Sequence, residues 1–363
     1  MSAHDRQHLF GILELNGNAP PEPIALGDYE GELQMVGHRD IAAAVGRTPL
    51  ADYRALDKET LLRCLVAHQR VLEHLLARAT VIPVKFGTLA AGDGEVERIL
   101  QAGYADLKRA LAESRGKTEF EVVGTWQVAQ VLSEISVEPE IRQLKAQVEA
   151  LPAEARRQGQ IEAGKAVKQR LDQRKREVQE ALRAELSARL AGCGCRLRLN
   201  ETMDDGMVLN LAVLVPLAQQ QGFEAALGAL DESYAGQLGF RCIGPLPPYS
   251  FATVEIRRAD SDDVTRARAT LRLGEEATVG QVQQAYHRLA AACHPDRCPG
   301  DPGAVERFRD ITAAWQTITA YCGDGDDAER VYSLRREQVE RAVRVAIVEG
   351  GRDPIEPASV VTG

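Results

Sequence analysis

The first 117 residues combine two hydrophobic patterns, short apolar runs and apolar residues spaced three or four apart. The runs predict strands at 8–15, 33–36, 41–45 and 81–87. The spaced residues predict helices at about 58–79 and 94–114. Strands and helices alternate within one short stretch of chain, so we predict an N-terminal α+β domain over residues 1–117.

A second α+β pattern covers residues 118–258 and contains a long helical insertion. Strands are predicted at 119–126, 195–201 and 207–216, and a helix at 222–236. Residues 127–191 lack strand character and carry two apolar stripes at helical spacing, broken at Pro152 and Gly159. The proline-rich stretch 240–256 cannot donate a full ladder of hydrogen bonds, so its middle is predicted to be a sheet edge or a rigid connection.

The last hundred residues are predicted to form a small helical module with flanking segments. The acidic, polar residues at 261–263 suggest a linker at 259–265. The module follows at 266–322. Residues 323–363 are predicted to hold one more helix, at 330–348, and a flexible tail.

Two amphipathic helices dominate the small module. Val282, Ala285, Leu289 and Ala292 recur at spacings of three and four, and Phe308, Ile311, Trp315 and Ile318 repeat the pattern. They are joined by the turn-forming sequence HPDRCPGDPG. We therefore predict an antiparallel helical hairpin that exposes His294, Pro295 and Asp296 in its loop.

Composition and charge exclude several classes of protein. The net charge is −9, so no global positive field draws the chain to nucleic acid or an anionic membrane. Residues 140–189 carry 12 Lys/Arg against 8 Asp/Glu, but no aromatic side chain is interleaved with these charges, as stacking on bases would need.

The longest apolar stretch, 207–217, is too short for a membrane span, and the N-terminus does not resemble a signal peptide. Seven scattered cysteines fit a reducing compartment, and we expect a cytoplasmic protein.

The tripeptide His294-Pro295-Asp296 admits three interpretations. A catalytic acid–base pair needs a pocket and further groups, which an exposed turn does not supply. A zinc site could use Cys293, His294, Cys298 and Cys322, but their spacing is not that of a zinc knuckle. The third interpretation is a signal read by another protein.

The sequence around this tripeptide resembles the J domain of DnaJ-type co-chaperones. The similar stretches are LRLGEEATVGQVQQAYHRLA, then HPDR, then ERFRDITAAW. The resemblance implies that His294, Pro295 and Asp296, with Arg288, bind a DnaK-type chaperone and stimulate its ATPase. It also implies a module core formed by Tyr286, Leu289, Phe308, Ile311 and Trp315.

One feature departs from that resemblance. The second helix of a typical J domain presents several Lys/Arg to the chaperone, whereas here the corresponding face reads Gln283, Gln284, His287 and Arg288. Electrostatic steering toward an acidic partner should therefore be weak.

The first 260 residues resemble the gas vesicle protein F/L family (GvpF/GvpL) over about 6–257. Two stretches carry the resemblance, VIPVKFGT at 81–88 and GPLPPYSF at 244–251. The matching residues are Pro83, Lys85, Phe86, Gly87, Gly244, Pro245, Pro248, Tyr249 and Phe251. The resemblance implies two α+β domains, the second ferredoxin-like with the helical insertion, and a non-enzymatic role beside the shell protein. From the residues alone, Lys85 is interpreted as half of a structural ion pair rather than a catalytic base.

These expectations combine into one functional hypothesis. The chain is expected to be a non-enzymatic gas vesicle assembly protein that contacts the shell protein and other gas vesicle proteins and recruits a DnaK-type chaperone. It needs no cofactor, metal, nucleic acid or membrane. Two alternatives stay open: a minor component of the vesicle wall with an inactive J domain, or a general co-chaperone unrelated to vesicles.

Overall fold

A computed structural model describes residues 6–15, 24–25, 32–48, 52–294, 301, 303–322 and 329–350. The chain forms two compact units. The first unit comprises residues 1–100, 104–255 and 347–363, and the second comprises 101–103 and 256–346. The first unit contains most of the ranges predicted for the two α+β domains, 1–117 and 118–258, and the second contains the range predicted for the helical module, 266–322.

The N-terminal domain is a mainly antiparallel sheet packed against helices. Its strands are β1 (Arg6–Glu14), β2 (Ile24–Ala25), β3 (Glu32–His38), β4 (Ile41–Thr48), β5 (Val81–Pro83) and β6 (Leu89–Ala90). Its helices are α1 (Lys58–Leu76) and α2 (Asp93–Ser114). The strand order is β2-β3-β4-β1-β5, and β6 also pairs with β1. Gly11 lets α1 approach the central strand closely, because a Cβ there would lie 2.8 Å from Leu72.

The second domain follows the βαββαβ order of a ferredoxin-like fold. Its elements are β7 (Lys117–Trp126), α3 (Val128–Ser136), α4 (Pro139–Glu149), α5 (Ala153–Arg189), β8 (Arg196–Leu199), β9 (Met207–Pro216), α6 (Gln220–Ser233), β10 (Leu238–Leu246) and then β11 (Thr253–Arg257). The sheet order is β10-β7-β9-β8, with antiparallel neighbours. The predicted α+β class, the ferredoxin-like topology and the helical insertion are confirmed.

The insertion is a helical hairpin whose base belongs to the core. Leu171, Leu182 and Leu186 of α5 are buried against the sheet, whereas most of its first turns are exposed. There α5 packs on α4, and a Cβ at Gly159 would lie 2.7 Å from the Leu151 side chain. The break predicted at Gly159 is therefore wrong, since this glycine sits within the continuous helix α5 and permits close helix packing.

The described part of the second unit contains four helices. Its elements are α7 (Ser261–Leu271), β12 (Glu276–Thr278), α8 (Val279–Ala292), α9 (Ala304–Cys322), β13 (Val331–Ser333) and α10 (Arg336–Arg341), and β14 (Arg344–Val348) runs on into the first unit. The module is thus helical with a small β12–β13 pair, rather than all-α.

Two predictions of local structure differ from the fold. The expected linker at 259–265 is largely the start of α7, because Asp260 caps this helix and Val264 is fully buried in the module core. The expected helix at 330–348 is instead β13, α10 and β14. Tertiary contacts override its helical pattern, since Leu334 donates its N–H to the Glu275 carbonyl and both Leu334 and Val339 are buried. The predicted tail beyond 350 lies outside the described residues.

No helix in the described part of the chain is both long and apolar enough to cross a bilayer.

Candidate functional sites

The α8–α9 hairpin positions the candidate chaperone-binding residues. Thr278 and Gln281 form a capping box that fixes the start of α8, with side chain-to-backbone bonds of 3.2 and 2.9 Å. α8 ends at Ala292, and His294 follows within two residues. The His294 ring lies edge-on to the Phe308 ring of α9, 5.4 Å between centroids. This contact attaches the start of the loop to the helix on its other side.

The predicted core residues of the module lie in one cluster. Ile311 is buried, whereas Tyr286, Leu289, Phe308 and Trp315 are half-buried and pack against it. Tyr286 stacks on Trp315 with 4.8 Å between ring centroids, so α8 and α9 are joined by aromatic contact as well as by aliphatic packing.

The outer face of α8 is polar but nearly uncharged. Gln283, Gln284, His287 and Arg288 are all exposed. Arg288 is the permanent cation among them, and it lies two turns before His294. Pro295 and Asp296 lie outside the described residues, so their roles stay predictions.

The geometry argues against the zinc interpretation. Cys293 is buried at the end of α8, and its Sγ lies 2.9 Å from the Leu289 carbonyl. Cys322 is the last residue of α9. It lies about 20 Å along that helix, at 1.5 Å per residue, from Phe308, the residue that the His294 ring contacts. Its burial raises the pKa of the thiol to about 11, which disfavours the thiolate that zinc needs. Cys298 lies outside the described residues, and among the described ones no group of three or more His, Cys, Asp or Glu could hold a metal ion.

The first family-signature stretch contacts β11, which begins two residues after the second stretch, where the N-terminal and ferredoxin-like domains join. Val84 forms a parallel bridge with Val254, and the Lys85 N–H donates to the Val254 carbonyl at 2.9 Å. The Lys85 ammonium pairs with Glu255 at 3.0 Å. Pro83 ends β5 opposite Gly11. Lys85 therefore lies in an ion pair between domains of the same unit.

The second stretch, GPLPPYSF, is fixed by polar bonds on several sides. The Tyr249 hydroxyl donates to Gln69 of α1 at 2.6 Å. Ser250 donates from both its N–H and its hydroxyl to the buried carboxylate of Glu119, each at 2.8 Å. Phe251 is buried against Ala212 and Leu214.

The start of the same stretch is held by backbone geometry. Gly244 has φ +151° and lies against Phe120, where a Cβ would be 2.6 Å from the ring. Pro245 falls at an irregularity in the edge strand β10, and the Pro248 carbonyl accepts from Phe251 and Ala252. These contacts make the stretch a rigid cover on one face of the ferredoxin-like sheet.

The structure also brings together a buried histidine pair that the sequence analysis missed. His8 Nε2 and His68 Nδ1 are 2.9 Å apart, and both side chains are buried among Phe10, Tyr53 and Phe86. His68 also donates to the Val84 backbone, a bond that favours its charged form, so its Nδ1 accepts the proton of His8. Gly87, next to Phe86, has φ +82° and lies beside Tyr53.

Burial controls the ionisation of this pair. Desolvation lowers the pKa of His68 to about 3 and holds the pKa of His8 well below its usual range. The rings are therefore neutral near pH 7, and His8 Nδ1 has no hydrogen-bond partner among the described residues. The burial of His68 could have been predicted from the sequence, because this residue falls in the apolar stripe of α1, between Leu65 and Leu72 at helical spacing.

Two family models match different parts of this chain. The family model described as "Gas vesicle synthesis protein GvpL/GvpF" matches residues 7–253, and the DnaJ domain model matches residues 269–321. Gas vesicle protein F of Streptomyces sp. (strain CB03234) is 27% identical over 253 residues, which cover 67% of this chain and 98% of that protein. The chaperone protein DnaJ of Wolbachia pipientis wMel is 39% identical over 49 residues, only 13% of its length.

Solved structures agree on the fold of the first part. The crystal structure of GvpF from Anabaena sp. PCC7120 matches with a TM-score of 0.53 and 20% identity, covering 68% of this chain and 97% of that one. The matched regions thus define a chain of two parts, a GvpL/GvpF region at 7–253 and a DnaJ domain at 269–321. The chain belongs to the GvpL/GvpF family.

Proposed function

We propose that the protein is a non-enzymatic assembly factor for gas vesicles that delivers the hydrophobic shell protein to a DnaK-type chaperone. The observation that carries the proposal is the presence of a GvpL/GvpF domain pair and a DnaJ domain in one chain. Shell subunits with exposed apolar faces and strand edges are prone to aggregate before assembly, which is the problem a co-chaperone addresses.

The GvpL/GvpF region and the DnaJ domain would have separate roles. Residues 7–253 would contact the shell protein and other gas vesicle proteins, as expected from family membership. The α8–α9 hairpin, with His294, Pro295 and Asp296 in its loop and Arg288 on α8, would engage the chaperone. The contact of His294 with Phe308 supports this role, because it ties the start of the loop to a packed helix. We expect the protein to act in the cytoplasm, associated with gas vesicles.

One observation favours a second candidate function. The exposed face of α8 bears a single arginine among polar neighbours, so the module would attract an acidic chaperone only weakly. In this second function the chain is a minor component of the vesicle wall, and its J domain is inactive.

An aggregation assay tests the proposal. Shell protein is diluted from denaturant, and its light scattering is followed with the full chain, the host's DnaK-type chaperone and ATP. We expect suppression by the wild-type chain together with the chaperone, and loss of the chaperone-dependent part with His294→Gln. Equal suppression with and without the chaperone would favour the second function. In that case purified vesicles should contain the chain in a fixed ratio to the shell protein.

A further inference from the structure

A carboxylate near the end of the described chain is bound by two arginines of one strand. Glu349 pairs with Arg196 at 3.0 Å and with Arg198 at 3.2 Å. The arginines are two residues apart on β8, so they project from the same face of that strand. β8 is a sheet edge. All three residues belong to the first unit.

The neighbouring surface is rigid and offers a backbone acceptor. The Gly350 N–H donates to the Ser250 carbonyl at 2.8 Å. Ser250 cannot easily reorient, because its N–H and hydroxyl are both bound to the buried Glu119. The Arg196 guanidinium also lies over the Phe251 ring, 5.4 Å from its centroid. Two cations and one fixed carbonyl thus contact a Glu-Gly dipeptide, and one of the cations lies over an aromatic ring.

The two sides of this contact belong to different parts of the chain. Arg196, Arg198, Ser250 and Phe251 lie within the GvpL/GvpF match at 7–253. Glu349 and Gly350 lie in the additional third, beyond the DnaJ match at 269–321. The matched gas vesicle protein F of Streptomyces is covered over 98% of its length by 67% of this chain, so the occupying dipeptide is an addition to the shared domains.

We propose that the Arg196–Arg198–Ser250 surface is a docking site for an extended, acidic segment of a partner protein, and that Glu349–Gly350 is an intramolecular competitor for it. The resident dipeptide shows the chemistry that the surface selects, a carboxylate followed by a free backbone N–H. The arginines and Glu349 stay between one third and about one half exposed, and half-exposed ion pairs are individually weak. A partner segment with more carboxylates would therefore displace the dipeptide.

A peptide copied from the chain tests the proposal. Fluorescent RVAIVEG, the sequence of residues 344–350, is titrated against the full-length wild type and against Glu349→Gln. Weakening the internal competitor should tighten peptide binding about fivefold, since two exposed ion pairs together contribute roughly a factor of that size. The peptide RVAIVQG should bind neither protein detectably, because it lacks the carboxylate.

Arginine variants show whether the surface itself is responsible. In the Glu349→Gln background, Arg196→Gln with Arg198→Gln should abolish binding, whereas Arg241→Gln on the opposite edge strand β10 should leave it unchanged. Circular dichroism establishes that each variant is folded. Equal affinity of wild type and Glu349→Gln, binding of RVAIVQG, or binding that survives loss of both arginines would each overturn the proposal. None of these measurements involves a chaperone or the shell protein, so they are independent of the proposed function.

Discussion

The His294 ring lies edge-on against the Phe308 ring, with 5.4 Å between centroids and 80° between planes. Phe308 is itself packed against the module core. The first residue of the His-Pro-Asp tripeptide is therefore attached to α9 as well as to the end of α8. A docking side chain held in this way loses less conformational freedom when a partner binds.

Loss of the His294 or Asp296 side chain should abolish chaperone stimulation while the protein stays folded. His294→Gln removes one aromatic contact, worth about 0.5–1.5 kcal/mol, which lowers the stability of the module without unfolding it. Asp296→Asn removes only the charge. We expect neither variant to stimulate ATP hydrolysis by the host's DnaK-type chaperone. Val305→Ala, at an exposed position on α9, is the control and should behave like wild type. Full stimulation by His294→Gln would show that the loop does not work as a J-domain contact.

Added positive charge on the outer face of α8 should strengthen stimulation. Gln283→Lys with Gln284→Lys places two cations beside Arg288, and exposed charges steer an acidic partner most strongly at low ionic strength. The gain should be severalfold at about 50 mM salt and should shrink as salt rises. Ala313→Lys with Gln316→Lys, at exposed positions on α9, adds the same two charges and controls for net charge. If neither wild type nor the double variant stimulates the chaperone, the inactive J domain of the second candidate function is favoured.

Hydrophobic periodicity was enough to predict those elements in which the buried residues recur at the spacing of one helix or strand face. The α8–α9 hairpin is of this kind, because each helix shows one apolar face, whereas the ferredoxin-like order was implied by the resemblance to the gas vesicle protein F/L family. α7 was missed because its first residues, Ser261-Asp262-Asp263, look like a linker, whereas Asp260 accepts hydrogen bonds from the N–H groups of Asp262 and Asp263. An acidic N-cap and an acidic linker have the same composition, and only burial of Val264 distinguishes them.

Residues at the candidate sites were predictable from motifs, but their contacts were not. Nothing local in the sequence indicates that Lys85 pairs with Glu255, since 170 residues separate them. The carboxylate of Glu119 can be buried because Ser250, in a distant stretch, donates two hydrogen bonds to it. Such pairs depend on tertiary packing, which propensity and periodicity do not encode.

Gly244→Ala should destabilise the ferredoxin-like domain. A Cβ at this position would lie 2.6 Å from the Phe120 ring and 2.9 Å from the Glu119 carbonyl, and φ is +151°. We expect a loss of about 2 kcal/mol or more in the free energy of unfolding, measured by urea denaturation followed by Trp126 fluorescence. Gly228→Ala in α6 is the matched control, because nothing lies within 4 Å of its Cβ position. That variant should be neutral or more stable by up to about 1 kcal/mol. Equal stability of the two variants would contradict this account of Gly244.

The buried pair of His8 and His68 should make the N-terminal domain sensitive to mild acid. Both rings stay neutral in the folded state to well below pH 6.5, because burial lowers the pKa of His68 to about 3 and also lowers that of His8. In the unfolded chain each ring titrates near 6.5. Between these values the unfolded state binds more protons, so the free energy of unfolding falls as pH falls.

The fall between pH 7.5 and 5.0 should be about 2 kcal/mol from His68 alone, with His8 adding to it. This window avoids the carboxylate of Glu14, whose pKa is lowered by hydrogen bonds from Lys108 and Arg115 and which loses its contribution only in stronger acid. Urea unfolding with pulsed hydrogen exchange, read on peptides from β1 and α1, measures the effect in the full chain.

His8→Phe with His68→Leu should flatten the pH dependence, even though it lowers stability at pH 7.5. His287→Gln, exposed on α8, should leave the dependence as in wild type. A double variant that keeps the wild-type slope would show that other groups take up the protons.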